Sequence, residues 1–292
     1  MSQPDRARGR GRRLSPSPVS LRALRAGLTL LRPERVGGPE AVAALRASAP
    51  DLGVVVAFGQ FLPRAVREVP AKGYLINGHA SLLPAWRGAA PIPRAILAGE
   101  SRTGISVMRV EREMDAGPVG LVRELAIGPE ETAGELGHRL ALLCADAIAL
   151  AVDQIAEGTI EWRGQDHARA SAAPRLERSD AELDFREGAE ALVRRVRALA
   201  PAPGAVTALA GEPLRILAAR AEPGPATAPP GSVRRRPGGP LRIATGDGWL
   251  VPLRLQRAGG RPLDAEAYLR GHPIPDGARL APPTASPKLP LP

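Results

Sequence analysis

Residues 51–58, DLGVVVAF, hold three consecutive valines with no polar side chain among them to face water. A β-branched run without polar alternation suits a strand buried on both faces, the condition of a parallel sheet covered by helices on either side. Its surroundings repeat the theme. AVAALRASA before it and LPRAVREV after it have helical spacing, GYLINGH reads as a second strand, and APIPRAILAG as a helix with prolines in its first turn and Gly99 at its stop. TGISVMRVE and VGLVRELAI are further strands, and the segment from Glu131 to Gly158 is a long helix. Strand alternating with helix defines α/β architecture: a doubly wound, mostly parallel, Rossmann-like sheet.

After about Trp162 the pattern changes. RGQDHARASAAPRLERSD is polar and aperiodic and reads as a linker, residues 163–180, between a domain of residues 1–162 and one of residues 181–292. The second domain opens with a helix carrying Leu192, Val193, Val196 and Leu199 on one side. Short strands follow, and the Asp247-Gly248 turn predicts a hairpin with Trp249, Val251, Leu253 and Leu255 on one face. A small OB-like β-barrel is expected, an architecture that commonly binds nucleic acid. The proline-rich stretches AEPGPATAPPG and APPTASPKLPLP read as a loop and a frayed tail.

Composition excludes several classes. No run reaches the uninterrupted apolar length of a membrane-spanning helix. The single cysteine, Cys144, permits neither an intramolecular disulfide nor a multi-cysteine zinc site, and its helical Leu/Ala neighbours make it a buried core thiol. A cytoplasmic enzyme is expected on that ground. His79, His138, His167 and His272 show no metal-ligand spacing, so no metal is expected.

Charge divides unevenly along the chain. Residues 1–38 hold nine arginines against Asp5 and Glu34, a balance of +7; residues 39–200 balance at −3 and residues 201–292 at +6. Basic ends around a mildly acidic middle suit a polyanion gripped from two sides. In the first basic stretch, Arg6, Arg8, Arg10 and Arg12 alternate with small residues and Arg13 follows. Composition fits both a mitochondrial transit peptide and a flexible phosphate-binding loop. It does not choose between them.

The chemistry-bearing residues gather at strand ends, where open α/β sheets bind ligands. Asn77 and His79 close the GYLINGH strand on one face, and Asp115 follows the next strand. An amide donates to an oxyanion, an imidazole exchanges a proton, and a carboxylate orients that imidazole; together they suit acyl transfer to an amine. Taken alone, such residues at a strand end are more often hydrogen-bonded turns than an active site.

Their neighbours add a family resemblance. GYLINGHASLLPAWRGAAPIPRAI, continued by TGISVMRVEREMDAGPV, closely resembles methionyl-tRNA formyltransferases, as do QPDRARGRGRRLSPSPV, VVVAFGQFLP and ATGDGWLVPLRLQRAGGRPL. The resemblance spans almost the whole chain and replaces the transit-peptide reading with an internal loop of a formyltransferase catalytic domain. It implies transfer of the formyl group of 10-formyltetrahydrofolate, as cosubstrate, to the α-amine of initiator methionyl-tRNA. It further implies that Asn77 donates to the developing oxyanion, His79 stabilises it and assists proton transfer, and Asp115 holds His79 protonated and helps move protons to the folate nitrogen. Ser81, Leu82, Leu83 and Pro84 match the segment lining the tetrahydrofolate site, which Phe58 and Gly59 complete. Arg10 matches the arginine of a mobile loop that engages the tRNA acceptor end, with Arg6, Arg12 and Arg13 beside it. The basic barrel of residues 181–292 would hold the acceptor arm. A monomer is expected.

The sequence also departs from the family pattern. Relatives place a strand, a Gly-Thr-Pro turn, a helix and a second strand before the Gln-Pro-Asp-Arg segment, whereas here Met1 stands just before Gln3. About one βαβ unit, on the order of 30 residues, is therefore expected to be lacking, leaving a sheet truncated at its N-terminal side with an unpaired edge and an exposed apolar face. Gly78 replaces a branched residue between Asn77 and His79, which should loosen the strand locally. Two other readings share the Asn-His-Asp set: a formyltransferase of a purine precursor or sugar nucleotide, and a catalytically impaired RNA-binding remnant.

Overall fold

The computed structural model describes residues 1–8, 13–235 and 239–282. Arg10 and Arg12 lie outside the described residues. In chain order the first part comprises β1 (Arg6–Arg8), β2 (Arg13–Ser15), α1 (Pro18–Arg25), α2 (Pro39–Ala47), β3 (Gly53–Val55), α3 (Arg64–Arg67), β4 (Leu75–His79), α4 (Pro91–Ala98), β5 (Arg102–Arg109), β6 (Val119–Ala126) and α5 (Ala133–Glu157). The chain divides into two compact units, residues 1–79, 105–123 and 144–170 forming one and residues 80–104, 124–143 and 171–292 the other.

Local sequence explains most of these elements. Pro91 and Pro93 stand in the first turn of α4, where a missing N–H costs nothing, and Gly99 ends the helix at φ +78°, a conformation that favours glycine. Before α5, Thr132 Oγ accepts the Glu135 N–H while the Glu135 carboxylate accepts the Thr132 N–H, a reciprocal capping box. In the stretch read from sequence as a flexible phosphate-binding loop, β1 and β2 pair antiparallel, with Arg8 opposite Arg13.

The first sheet has the order β3-β4-β5-β6. β3 runs parallel to β4, with Val55 opposite Asn77; β5 runs antiparallel to it, placing Met108 opposite Asn77 and Ser106 opposite His79. The sheet is thus mixed. Residues of β5 are buried on both faces, and such a run has the same pattern in either direction, so the sequence carries no mark of the reversal. Among the described residues β3 is the outer strand, and Val54 and Val56 are about half exposed.

Within the first unit, Leu75 packs with Val36, Val42 and Val66, so α2 and α3 cover one face of β4. The C-terminal half of α5 covers the other. Gly78 points at it, and a Cβ on Gly78 would collide with Cys144 Sγ and touch Ile148. The glycine does not leave the strand loose; it lets a helix approach closely. Burial raises the Cys144 thiol pKa above the ordinary cysteine value, which keeps the group a packed, unreactive thiol.

The remainder comprises α6 (Arg178–Ala181), α7 (Ala189–Leu199), β7 (Ala205–Leu209), β8 (Glu212–Glu222), β9 (Val233–Arg234), β10 (Arg242–Ala244), β11 (Trp249–Arg257), β12 (Leu263–Asp264), α8 (Ala265–Gly271) and β13 (Leu280–Ala281). Its sheet runs β13-β7-β8-β11-β10-β9, with β12 on β11. The two outer strands meet through a Ser232–Arg279 bridge and the bonds Val233 N–H to Ala278 O (2.7 Å) and Leu280 N–H to Gly231 O (2.8 Å). That contact closes the sheet into a barrel and removes its open edges. Leu192, Val196 and Leu199 of α7 pack into one core with Ile216, Ile243, Leu250 and Leu255.

The expected face of the hairpin is corrected in two places. Leu250 is fully buried and Leu253 is 46% exposed, the reverse of the alternation read from sequence. The β8–β11 register shifts between Pro252 and Leu255, and this bulge turns the following side chains to the opposite face. Asp247, in the turn before β11, also accepts the Ala189 N–H at 2.7 Å, capping α7 from a distant part of the chain. Asp247→Ala should therefore cost about 1 kcal/mol, as loss of an N-cap does, while Asp247→Asn should cost less than half as much. Unfolding of the two variants in urea measures the difference.

Candidate active site

β4 delivers the first two groups. Strand alternation puts Asn77 and His79 on one face and Gly78 on the other, so the close helix contact lies away from the polar face. His79 is 6% exposed and Asn77 half-buried. Parallel pairing to β3 and antiparallel pairing to β5 fix the strand on both sides, which sets the height at which the imidazole emerges.

The third group comes from the loop joining β5 to β6. Asp115 Oδ2 lies 3.5 Å from His79 Nδ1, with only 13% of its side chain exposed. This is an ion-pair separation rather than a short hydrogen bond, and such contacts often tighten when substrate closes the site. Asp115 has φ +52°, a left-handed conformation that aspartate tolerates better than most residues but that the loop must hold in place. At the loop's base the Arg109 N–H donates to Pro118 O at 2.9 Å, and a Cβ on Gly117 would collide with Arg109 O. Glycine is required there because the chain doubles back on itself.

The remaining sequence-read residues are divided between the two units. In the first unit, the Gln3 side-chain amide donates to Phe58 O and lies beside Gly59, whose φ is +76°. Phe58 itself packs against the α2–α3 core. In the second unit, Ser81 is fully buried and its hydroxyl donates to Ala85 O at 2.6 Å, folding Leu82, Leu83 and Pro84 into a half-buried turn. The Leu83–Pro84 peptide is cis. Arg6 and Arg13 stand exposed on the β1–β2 ribbon, Arg6 donating to Gln3 Oε1 at 3.1 Å. Gln3 and Gln165 were not among the residues singled out from sequence; each acts on backbone carbonyls far along the chain, which leaves no local motif. Among the described residues no group of three or more His, Cys, Asp or Glu side chains is placed to hold a metal, and no helix is long and apolar enough to cross a membrane.

Asn77, a buried His79 and, within 3.5 Å of it, Asp115 stand at the end of a mixed sheet, in a chain that continues into an antiparallel barrel. The formyl transferase family pattern matches residues 1–152, and that of the formyl transferase C-terminal domain matches residues 175–273. The chain is 46% identical to the methionyl-tRNA formyltransferase of Halorhodospira halophila, covering 94% of this chain and 88% of that protein. It is 44% identical to that of Ruegeria pomeroyi, covering 95% and 90%. The chain belongs to the methionyl-tRNA formyltransferase family.

Solved structures share the fold at lower identity. HypX from Aquifex aeolicus in complex with tetrahydrofolic acid superposes with a TM-score of 0.60 at 19% identity, over 78% of this chain and 39% of that one. WlaRD, a sugar 3N-formyl transferase, gives 0.62 at 14% identity, over 84% and 82%.

Proposed function

We propose that this protein transfers the formyl group of 10-formyltetrahydrofolate to the α-amine of methionine esterified to initiator tRNA, preparing it for translation initiation. The observation that carries this reading is the approach of Asp115 to a buried His79 beside Asn77, in a chain 46% identical to a methionyl-tRNA formyltransferase. In the reaction the amine forms a bond to the formyl carbon and the bond from that carbon to the folate nitrogen breaks. Asn77 donates to the formyl oxygen as negative charge gathers there. His79, held protonated, stabilises the same oxygen and assists proton transfer, while Asp115 fixes the ring's orientation, balances its positive charge and helps pass the proton given up by the amine to the folate nitrogen as that nitrogen leaves. None of these steps requires a metal.

By the family likeness we assign the turn formed by Ser81, Leu82, Leu83 and Pro84 and, separately, Phe58 and Gly59 to the folate cosubstrate. We assign residues 1–162 to catalysis, residues 163–180 to the connection and residues 181–292 to binding the acceptor arm, with the enzyme acting as a monomer in the cytoplasm. The net +6 of residues 201–292 supports the tRNA reading over a small-molecule acceptor, which needs no such charge. Initial rates with charged initiator tRNA test it. Turnover at submicromolar tRNA with none on nucleotide-linked amino sugars is the expected result, and the opposite preference would overturn it.

The arginine assignment has its own test. Arg10→Ala should raise KM for tRNA about tenfold at moderate salt and leave KM for the folate unchanged, because one phosphate contact is lost and the dependence of binding on salt becomes shallower. Steady-state kinetics at two salt concentrations measure both quantities.

A further inference from the structure

The segment following α5 does more than connect two domains. Trp162, Arg163 and Gln165 each hold a different point of the β5–β6 loop that carries Asp115. At the end of β5, the Arg109 guanidinium lies against two rings that meet edge-on, 4.1 Å from the centre of Tyr74 and 4.6 Å from that of Trp162, and is held by cation–π attraction. At the start of β6, Val119 and Arg163 exchange two backbone hydrogen bonds of 2.9 Å. At the tip, the Gln165 side-chain amide donates to Asp115 O at 2.8 Å and to Gly117 O at 2.7 Å.

The third contact has a specific geometric consequence. Asp115 adopts φ +52°, so its backbone is held in a sparsely populated conformation by its surroundings. Two hydrogens on one planar amide, fixed on two carbonyls two residues apart, set the orientation of the intervening peptides. That orientation decides where the Asp115 carboxylate points. A longer or shorter side chain, or one without two donors, cannot span both carbonyls from the same backbone position.

We propose that Gln165 is a positioning residue for the transfer reaction, setting the separation of Asp115 from His79 through the backbone of the Asp115 loop. The proposal rests on the role assigned to Asp115 above, and touches neither substrate directly. It predicts that Gln165 acts on the rate of the bound complex and not on the affinity for either substrate.

The test uses the full chain and compares Gln165→Met, which keeps volume without donors, with Gln165→Glu, which presents a carboxylate to two carbonyls. Both are made in the wild-type and Asp115→Asn backgrounds. In the wild type, Gln165→Met should lower kcat about 10- to 50-fold with KM for tRNA and for folate within threefold, and Gln165→Glu should lower it further. In the Asp115→Asn background the extra loss from Gln165→Met should shrink below threefold, because the group it positions is already gone. Equal loss in both backgrounds would overturn the proposal, since a merely structural residue costs the same in each. So would full activity in Gln165→Met, or a milder effect of Gln165→Glu than of Gln165→Met. Wild-type turnover in Asp115→Asn alone is a separate outcome: it would remove the role of Asp115 on which the proposal stands, whereas additivity would remove only that of Gln165. Thermal melts of each variant keep loss of folding distinct from loss of rate.

Discussion

Replacing His79 by alanine should lower kcat by about 10³-fold or more, within the range for loss of a positioned acid–base group that also faces a developing oxyanion. The ring is buried, 6% exposed, and its Nδ1 lies 3.5 Å from Asp115 Oδ2. Alanine removes the imidazole that the proposed mechanism uses for proton transfer. KM for tRNA should change little, because the arginines assigned above to tRNA binding lie elsewhere in the sequence. Asn77→Ala should cost about 10²-fold, as loss of an oxyanion donor does, and the double variant little more than His79→Ala alone, since the two groups act on one transition state. Formylation rates at saturating substrates decide the matter. A His79→Ala enzyme within tenfold of wild type, shown by its melt to be folded, would remove the imidazole from the mechanism.

The second large effect lies on the opposite face of the same strand. Gly78→Val should destabilise the protein by about 3 kcal/mol, at the upper end for overpacking a filled core, and lower its melting temperature by roughly 5–10 °C. The first carbon added would occupy the space of Cys144 Sγ, and the branches would press on Ile148. Strand β4 would have to move, and Asn77 and His79 with it, so turnover should fall alongside stability. Cys144→Ala frees that space. In its background Gly78→Val should cost at least about 1 kcal/mol less, a coupling expected only of residues in direct contact. Because Cys144 is the chain's one cysteine and is buried, thiol labelling gives a second readout. Labelling should be slow in the wild type and faster in Gly78→Val. Additive destabilisation would show that the pair does not meet.

Much of this site was legible because it is local. Asn77 and His79 stand two apart on a strand, so their common face follows from alternation alone, and Gly99 and the Thr132–Glu135 box mark helix ends through short-range hydrogen bonding. Asp115 was legible as a carboxylate suited to orient His79, but their 3.5 Å separation was not, since it depends on how the β5–β6 loop doubles back at Gly117. Gln165 carried no signal. It lies in a polar, aperiodic stretch whose order comes from backbone bridges to Val119 and from side-chain contacts with carbonyls some fifty positions away. Such contacts leave no period in the sequence.

Gly78 and Leu253 show the same limit from the other side. Gly78 reads as a weak point in a strand until the cysteine that fills its place is seen. Leu253 reads as core until the bulge at Pro252 turns it outward. Sequence by itself determined the elements, the strand that bears Asn77 and His79, and the basic ends, because apolar periodicity, turn residues and charge act within a few residues of one another. The tertiary structure alone decided the direction of β5, the closure of the barrel through Ser232 and Arg279, the capping of α7 by Asp247, and the hold of Gln165 on the Asp115 loop. Each of these joins groups that are far apart in the chain, and their pairing is set by packing and hydrogen bonding that exist only once the chain has folded.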